Sequence, residues 1–295
     1  MAPPLRSLAN AAPTRKNFKL THYVILQCLA VWRNRGRECP HLIAIPGATI
    51  MSQDIFSELA PSGTLRAGIN MANTLLVTGS TPAGEPTGVA PDMAHEIADR
   101  LGVAVSYVLF ASPGEVADAA GSDAWDIALI AAEPARAETI AFSAAYVEIE
   151  ATYLVPESSS FRLVEDVDRP GMRIAVSARS AYDLYLTRSL KHAELQRAKG
   201  MAGAVDLFVT EKLDALAGLR PALNWDAEKL PDARILEGRF TTVQQAIGTK
   251  PENITAAAFL QKFVAEAKAS GLVARLIERH GVEGRLQIAS DDFLT

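Results

Sequence analysis

The chain has 295 residues, enough for one large domain or two modest ones, and its 49% hydrophobic and 21% charged content is that of an ordinary globular protein. A formal net charge of −5 excludes nucleic acid as the main partner, because that binding needs concentrated Lys and Arg. Both cysteines, Cys28 and Cys39, fall before Pro40 and the five histidines are scattered, which excludes disulfide or thiol chemistry from the main fold and leaves no His/Cys spacing for a metal.

Residues 1–50 are basic, with Arg6, Arg15, Lys16, Lys19, Arg33, Arg35 and Arg37, and hold one apolar run, Tyr23 to Trp32. A bilayer span needs about 20 apolar residues, so this run is too short. A basic start before a short apolar run has the form of a secretory signal. Against it, the run contains Gln27, Arg33-Asn34-Arg35 follows at once, and no small-x-small cleavage site or lipoprotein-type site at Cys28 is present. The expectation is an extension over residues 1–60 that is disordered or outside the fold, with Met51 as an alternative start.

From Leu65 strands and helices alternate. Leu65–Ile69 reads as a strand, and Gly79, Pro82, Gly84, Pro86 and Gly88 mark a turn-rich loop. Pro91 opens a helix whose apolar face is Met93, Ala94, Ile97, Ala98 and Leu101, and Gly102 ends it. Val103–Phe110 is a β-branched strand, and a short helix follows over Glu115–Ala120. Asp126–Ala131 is an apolar run of strand length, broken by a turn at Glu133-Pro134 because proline lacks an amide donor. Arg136 follows directly. A strand ending in a turn that carries an arginine presents a fixed cation at a sheet edge, where α/β proteins bind ligands.

Ile149–Val155 is a further strand, and Pro156 with Ser158-Ser159-Ser160 marks a boundary. Beyond it come a strand at Arg173–Val176, a helix from Ala181 to Leu190 with Ser180 as N-cap and Asp183 completing a capping box, a helix at Ala204–Lys212, and strands at Leu213–Gly218 and Arg234–Leu236. Val243–Thr249 is a strand. Ile254–His280 is helical, with two apolar stripes separated by Ser270-Gly271, and stripes at this spacing are core.

This order predicts an α/β fold of two lobes with parallel strands, the second lobe inserted into the first. Lobe 1 is expected over 61–154 plus 240–286, lobe 2 over 155–239, and a tail over 287–295. Crossing strands near Ala151–Val155 and Gly238–Val243 would form a hinge, with a ligand cleft between the lobes.

The stretches LRAGIN, GVAPDMAHEIADRLGV, WDIALIAAEPARAETIAFSAAY, GMRIAVSARSAYDLYL and LDALAG, in that order, resemble the extracellular solute-binding proteins of family 3, the amino-acid-binding components of ABC importers. The resemblance runs from about Leu65 to Glu283 and implies the two-lobed type 2 periplasmic-binding-protein fold. It also implies that Arg136 clamps a ligand carboxylate, that Ala131 contributes backbone where the family has Ser or Thr, and that the Arg179-Ser180 helix start meets the same carboxylate. A guanidinium suits a carboxylate through two charge-assisted hydrogen bonds, and a helix start suits an anion.

Two departures bear on the ligand. Asn70 stands where the family places an ammonium-holding Asp, and Leu219, followed by Arg220, where it places a second acid. An ammonium buried without a countercharge is costly. The expected ligand is therefore a small carboxylate-bearing metabolite, a carboxylate or dicarboxylate lacking an amine ahead of an amino acid, with Arg136 and Arg220 as cations, Asn70 and Asn73 as neutral hydrogen-bonding groups, and no cofactor or metal. The alternative for Arg220 is a solvent-facing residue or a pair with Asp214. Glu133 and Glu150 read as surface or salt-bridge groups.

Three functions follow: a periplasmic binding protein serving an ABC permease, a cytoplasmic relative that senses or buffers a metabolite, and a dehydratase-type enzyme on the same fold. Elimination would need a general acid, and Asp92, Glu133 and Glu150 are the acids the sequence offers. The expected state is a monomer with no integral membrane span.

Overall fold

The apolar stretches that read as strands gather into one mixed sheet in a computed structural model of the protein, which describes residues 53–290. The basic segment 1–50, its apolar run, the Met51 start and residues 291–295 of the expected tail lie outside the described residues.

The first lobe begins with α1 (Gln53–Leu59) and β1 (Thr64–Asn70). Helix α1 corrects the expected extent of the extension. Its Ile55, Phe56 and Leu59 recur at helical spacing and join the main core, with Leu59 fully buried. Glu58 accepts from Ala256 N at 2.6 Å, so residues 53–60 belong to the fold. A small hairpin, β2 (Gly79–Ser80) with β3 (Pro86–Thr87), leads into α2 (Val89–Leu101). That helix starts two residues before Pro91, which sits in the first turn where an amide has no helical partner anyway. Gly88 caps it at φ 147°, and a Cβ there would come within 2.2 Å of the Leu76 carbonyl. Gly102 ends the helix in the left-handed conformation, as expected.

Next come β4 (Ala104–Phe110), α3 (Pro113–Asp118), β5 (Ile127–Ala131), the one-turn α4 (Pro134–Ala137) and β6 (Ala141–Phe142). The long β7 (Val147–Pro156) carries the chain into the second lobe: β8 (Arg173–Ser177), α5 (Ala181–Ser189), β9 (Glu194–Ala198), α6 (Gly200–Thr210), β10 (Ala215–Leu219), α7 (Arg220–Lys229) and β11 (Ala233–Ile235). The equally long β12 (Thr241–Thr249) returns it, and α8 (Ile254–Ala269), α9 (Leu272–Arg279) and β13 (Gln287–Ile288) complete the first lobe. Strand β13 pairs with β7, so part of the expected tail is structured.

The sheet order is β4-β1-β5-β12-β7-β10-β8-β9. Neighbours at each end run parallel, and the central pairs β5–β12, β12–β7 and β7–β10 run antiparallel. The two central strands are thus the crossings between lobes, in register from Thr241 opposite Ala151 to Gln245 opposite Val147. Each lobe is packed on both sheet faces. The larger first-lobe cluster joins Leu65, Ile97, Phe263 and Leu276, and a smaller one on the other face joins Val116, Trp125 and Ile140. In the second lobe Ile174, Val176 and Leu186 form one layer, and Leu154, Phe208 and Leu216 the other.

Strand β9 and helix α7 are additions to the sequence reading. Strand β9 is ELQRA, a half-exposed edge with no apolar run to announce it. Helix α7 starts at Arg220-Pro221, with the proline in its first turn.

A candidate ligand-binding cleft

A cavity of about 620 Å³ opens where β1, β5 and β8 end and α5 and α6 begin. Strand ends facing helix starts are where open α/β sheets collect ligands. The first lobe contributes Asn70, Asn73, Glu115, Ala131 and Arg136 to its walls, the second Arg179, Ser180, Tyr182, Arg197 and Lys199, and β12 contributes Val243 and Gln245. Among the lining residues Arg136, Arg179, Arg197 and Lys199 are cationic and only Glu115 is acidic. Among the described residues no group of His, Cys, Asp and Glu could hold a metal ion, and no helix is long and apolar enough to cross a membrane.

Arg136 is placed by the turn that follows β5. Pro134 starts α4, and the Arg136, Ala137 and Ile140 amides close that turn on Glu133 and Arg136 carbonyls. The side chain folds back beneath the strand end. Nη1 donates to the Ala131 carbonyl at 2.8 Å and Nη2 to the Arg179 carbonyl at 3.0 Å, so the guanidinium ties the two lobes together. The residue is 4% exposed, and among the described residues no carboxylate bonds to it. Glu133, whose charge acts on it, is bonded instead to Arg188 Nη1 at 2.5 Å. Burial pulls the Arg136 pKa down to about 10, with Glu133 opposing and Arg179 adding to the fall, and the group stays charged at neutral pH. A guanidinium has five N–H donors, and two are used.

Arg179 faces Arg136 from the second lobe. Its φ of 61° is left-handed, a region that costs a non-glycine residue about 1 kcal/mol or more. Three contacts hold it there: its amide donates to Asp183 Oδ2 at 2.7 Å, its carbonyl accepts from Arg136, and its guanidinium binds Asp118 bidentately at 2.7 and 2.6 Å across the cleft. Gly114 makes room, since a Cβ there would lie 2.9 Å from Arg179 Cζ. Ser180 caps α5 by accepting from Asp183 N at 3.1 Å. Asp183 does not complete the expected capping box; its carboxylate serves the Arg179 amide and Arg197 Nε instead.

Of the residues singled out in sequence, Asn70, Asn73, Ala131, Arg136, Arg179 and Ser180 line this one cavity. Arg220 does not, which corrects the expectation that it faces the cleft. Its Nε donates to Glu150 Oε2 at 2.7 Å and its Nη2 to the Gly238 carbonyl, beside the crossing strands. Nor does it pair with Asp214, which accepts from Arg173 N at 2.8 Å. Asp92, Glu133 and Glu150 also lie outside the lining: Asp92 pairs with Arg279 and His280, Glu133 with Arg188, and Glu150 with Arg220 and Arg239. Sequence reasoning missed Glu115, Arg197, Lys199 and Gln245. The Ser112-x-x-Glu115 capping spacing was a usable signal for the first, and Glu115 Oε2 does accept from Ala111 N at 2.9 Å.

The chain belongs to the bacterial extracellular solute-binding proteins, family 3, which match it over residues 68–283. No curated protein matches it in sequence. Among solved structures it is similar to a mutant of ArgBP from T. maritima, at 23% identity and a TM-score of 0.63, covering 78% of this chain and 100% of that one. It is similar too to an ancestral amino acid-binding protein described as a precursor of cyclohexadienyl dehydratase, at 22% identity and a TM-score of 0.62, covering 76% and 98%. An ancestral arginine-binding protein bound to glutamine matches at 20% identity with a TM-score of 0.61, covering 75% and 99%. These likenesses give the fold, two α/β lobes with a cleft between them.

Proposed function

We propose that this family 3 solute-binding protein closes on a small carboxylate-bearing metabolite, an organic or dicarboxylic acid lacking an ammonium group, and hands it to an ABC-type permease. In this reading residues 155–239 are the second lobe, hinged on β7 and β12. The observation that carries it is Arg136: a buried guanidinium with spare donors, no carboxylate partner among the described residues and a cavity in front of it. A buried cation without a countercharge is expensive, and a ligand carboxylate relieves that cost with bidentate hydrogen bonds. The excess of cationic over acidic lining groups favours an anion in the same sense.

Binding rather than catalysis is the reading supported by Asp92, Glu133 and Glu150, each held in an ion pair away from the lining. Delivery to a permease would take place in the periplasm, the usual location of the family.

The test is a thermal-shift screen of organic acids and amino acids followed by calorimetry. A ligand at about 100 times its dissociation constant stabilises by roughly 2.7 kcal/mol. Organic acids are expected to raise the melting temperature and neutral amino acids to leave it unchanged. Arg136→Ala is expected to weaken binding by about 100-fold or more while the protein remains folded; retained affinity in that variant would reject the site.

A further inference from the structure

The backbone fixes which way two cleft asparagines face. Asn70 Oδ1 accepts from Ala72 N at 3.2 Å, and Asn73 Oδ1 accepts from Leu75 N at 3.2 Å. In such turns the amide oxygen must meet the backbone N–H, so the amide orientation is decided rather than free. What remains on each residue is the NH₂ group with both of its donors, beside the second lone pair of Oδ1. Neither Nδ2 has a hydrogen-bond partner among the described residues, and both residues line the cavity, Asn73 at 8% exposure.

On β12, in the same cavity wall, Gln245 is 4% exposed and its carboxamide is likewise unclaimed among the described residues. Its neighbour Gln244 has Nε2 bonded to Glu148 and Thr242, with Oε1 buried and without a partner among the described residues. A buried carboxamide is destabilising unless something fills its hydrogen bonds. With nothing fixing it, Gln245 can present either its donor or its acceptor end.

We propose that Asn70, Asn73 and Gln245 form a second recognition subsite that takes an oxygen acceptor on the ligand, a hydroxyl, oxo or second carboxylate group, in preference to an ammonium. The inference rests on the reading of Arg136 as the carboxylate clamp and adds the second determinant of specificity. An ammonium would add a cation to a lining that already holds Arg136, Arg179, Arg197 and Lys199 against Glu115 alone, so the fixed NH₂ donors are better met by an oxygen group. The one carboxylate in the lining, Glu115, already has Oε2 engaged by the Ala111 amide. A hydroxy or oxo acid meets both subsites without an unmatched group.

The experiment is titration calorimetry on the full chain with acids that differ only beside the carboxylate: propionate, lactate, pyruvate and alanine, then succinate, malate, oxaloacetate and aspartate. Whichever series binds, its hydroxy or oxo members are expected to bind about tenfold or more tighter than the unsubstituted and amino members. The responding series tells whether the oxygen acceptor is a substituent alone or accompanies a second carboxylate. Gln245→Leu is expected to narrow the tenfold gap, bringing the hydroxy and oxo acids down toward the affinity of the unsubstituted acid. Asn73→Asp keeps the oxygen that Leu75 N needs and exchanges a donor for a charged acceptor, so it should weaken hydroxy-acid binding and strengthen amino-acid binding.

Alanine or aspartate binding at least as tightly as its oxygen counterpart, still dependent on Arg136, overturns the subsite and leaves the clamp standing. Equal loss for every acid in Gln245→Leu does the same. Binding that persists in Arg136→Ala, or no acid binding at all, is a failure of the clamp itself.

Discussion

Two arginines follow the ends of two strands, and the structure treats them oppositely. Arg136 comes after β5 and Arg220 directly after β10. The strand beside β10 is β7, and Ala151 lies opposite Leu219, which puts Glu150 next to Arg220 as its partner. The strand beside β5 is β12, and the residue opposite Ala131 is Gln245. One cation therefore meets a carboxylate and becomes part of the framework, while the other bonds two backbone carbonyls and keeps its charge available. The difference lies in the partner strand, 70 residues away in one case and more than a hundred in the other. It teaches that a site arginine is recognised by what fails to neutralise it.

The strongest way to break the contrast is to give Arg136 what Arg220 has. Gln245→Glu places a second carboxylate in the cavity, and affinity for organic acids should fall by about 30-fold or more, because like charges brought together cost several kcal/mol. Calorimetry reads the affinity, and unchanged binding would mean that position 245 does not face the ligand.

The pH profile sharpens the same point. An anion binds Arg136 only while the guanidinium is charged, so affinity should be level from neutral pH to about 9 and should fall above about 10, where the folded protein begins to lose that proton. A fall beginning near neutrality would assign the clamp to another group.

From the other side, Glu150→Gln should cost about 1 kcal/mol of stability at neutral pH and leave affinity within about twofold. Hydrogen bonds from Arg239 and Arg220 hold the Glu150 pKa below its ordinary value. A depressed folded pKa gives stability that is present above the unfolded pKa, near 4.3, and lost as pH falls through the folded value. The cost of the variant, read by chemical denaturation, should therefore shrink on acidification through that window. The smallest effect expected is for Asp118→Asn at the other cross-cleft contact. Arg179 and Asp118 are both more than half exposed, so the change should be below about 1 kcal/mol and should vanish in high salt.

The sequence made the lobes, the crossing strands and the Arg136 turn readable because each is written in apolar runs and turn residues whose periods are local. Strand β5 is five consecutive buried residues, and Pro134 announces its end. The misses have a shared physical origin. Whether Arg220 is free depends on Glu150, and whether Gln245 is paired depends on which face of a doubly covered strand it occupies; both are settled by tertiary neighbours. Gln244-Gln245 inside a strand otherwise buried to its end was the usable warning, since a polar side chain there needs either a partner or a ligand. Strand β9 was invisible because an edge strand with one solvated side needs no apolar run.

The chain passes toward the second lobe and returns from it on adjacent, paired strands, with Ala151 and Thr241 directly across from each other. The cut ends of an excision there would already be neighbours, close enough for a two-residue Asn-Gly reverse turn to join them. The remainder keeps both first-lobe packing layers whole. A shortened chain running to position 151, then that turn, then from 241 onward, is expected to fold by itself with a cooperative melt, and to have no grip on any solute.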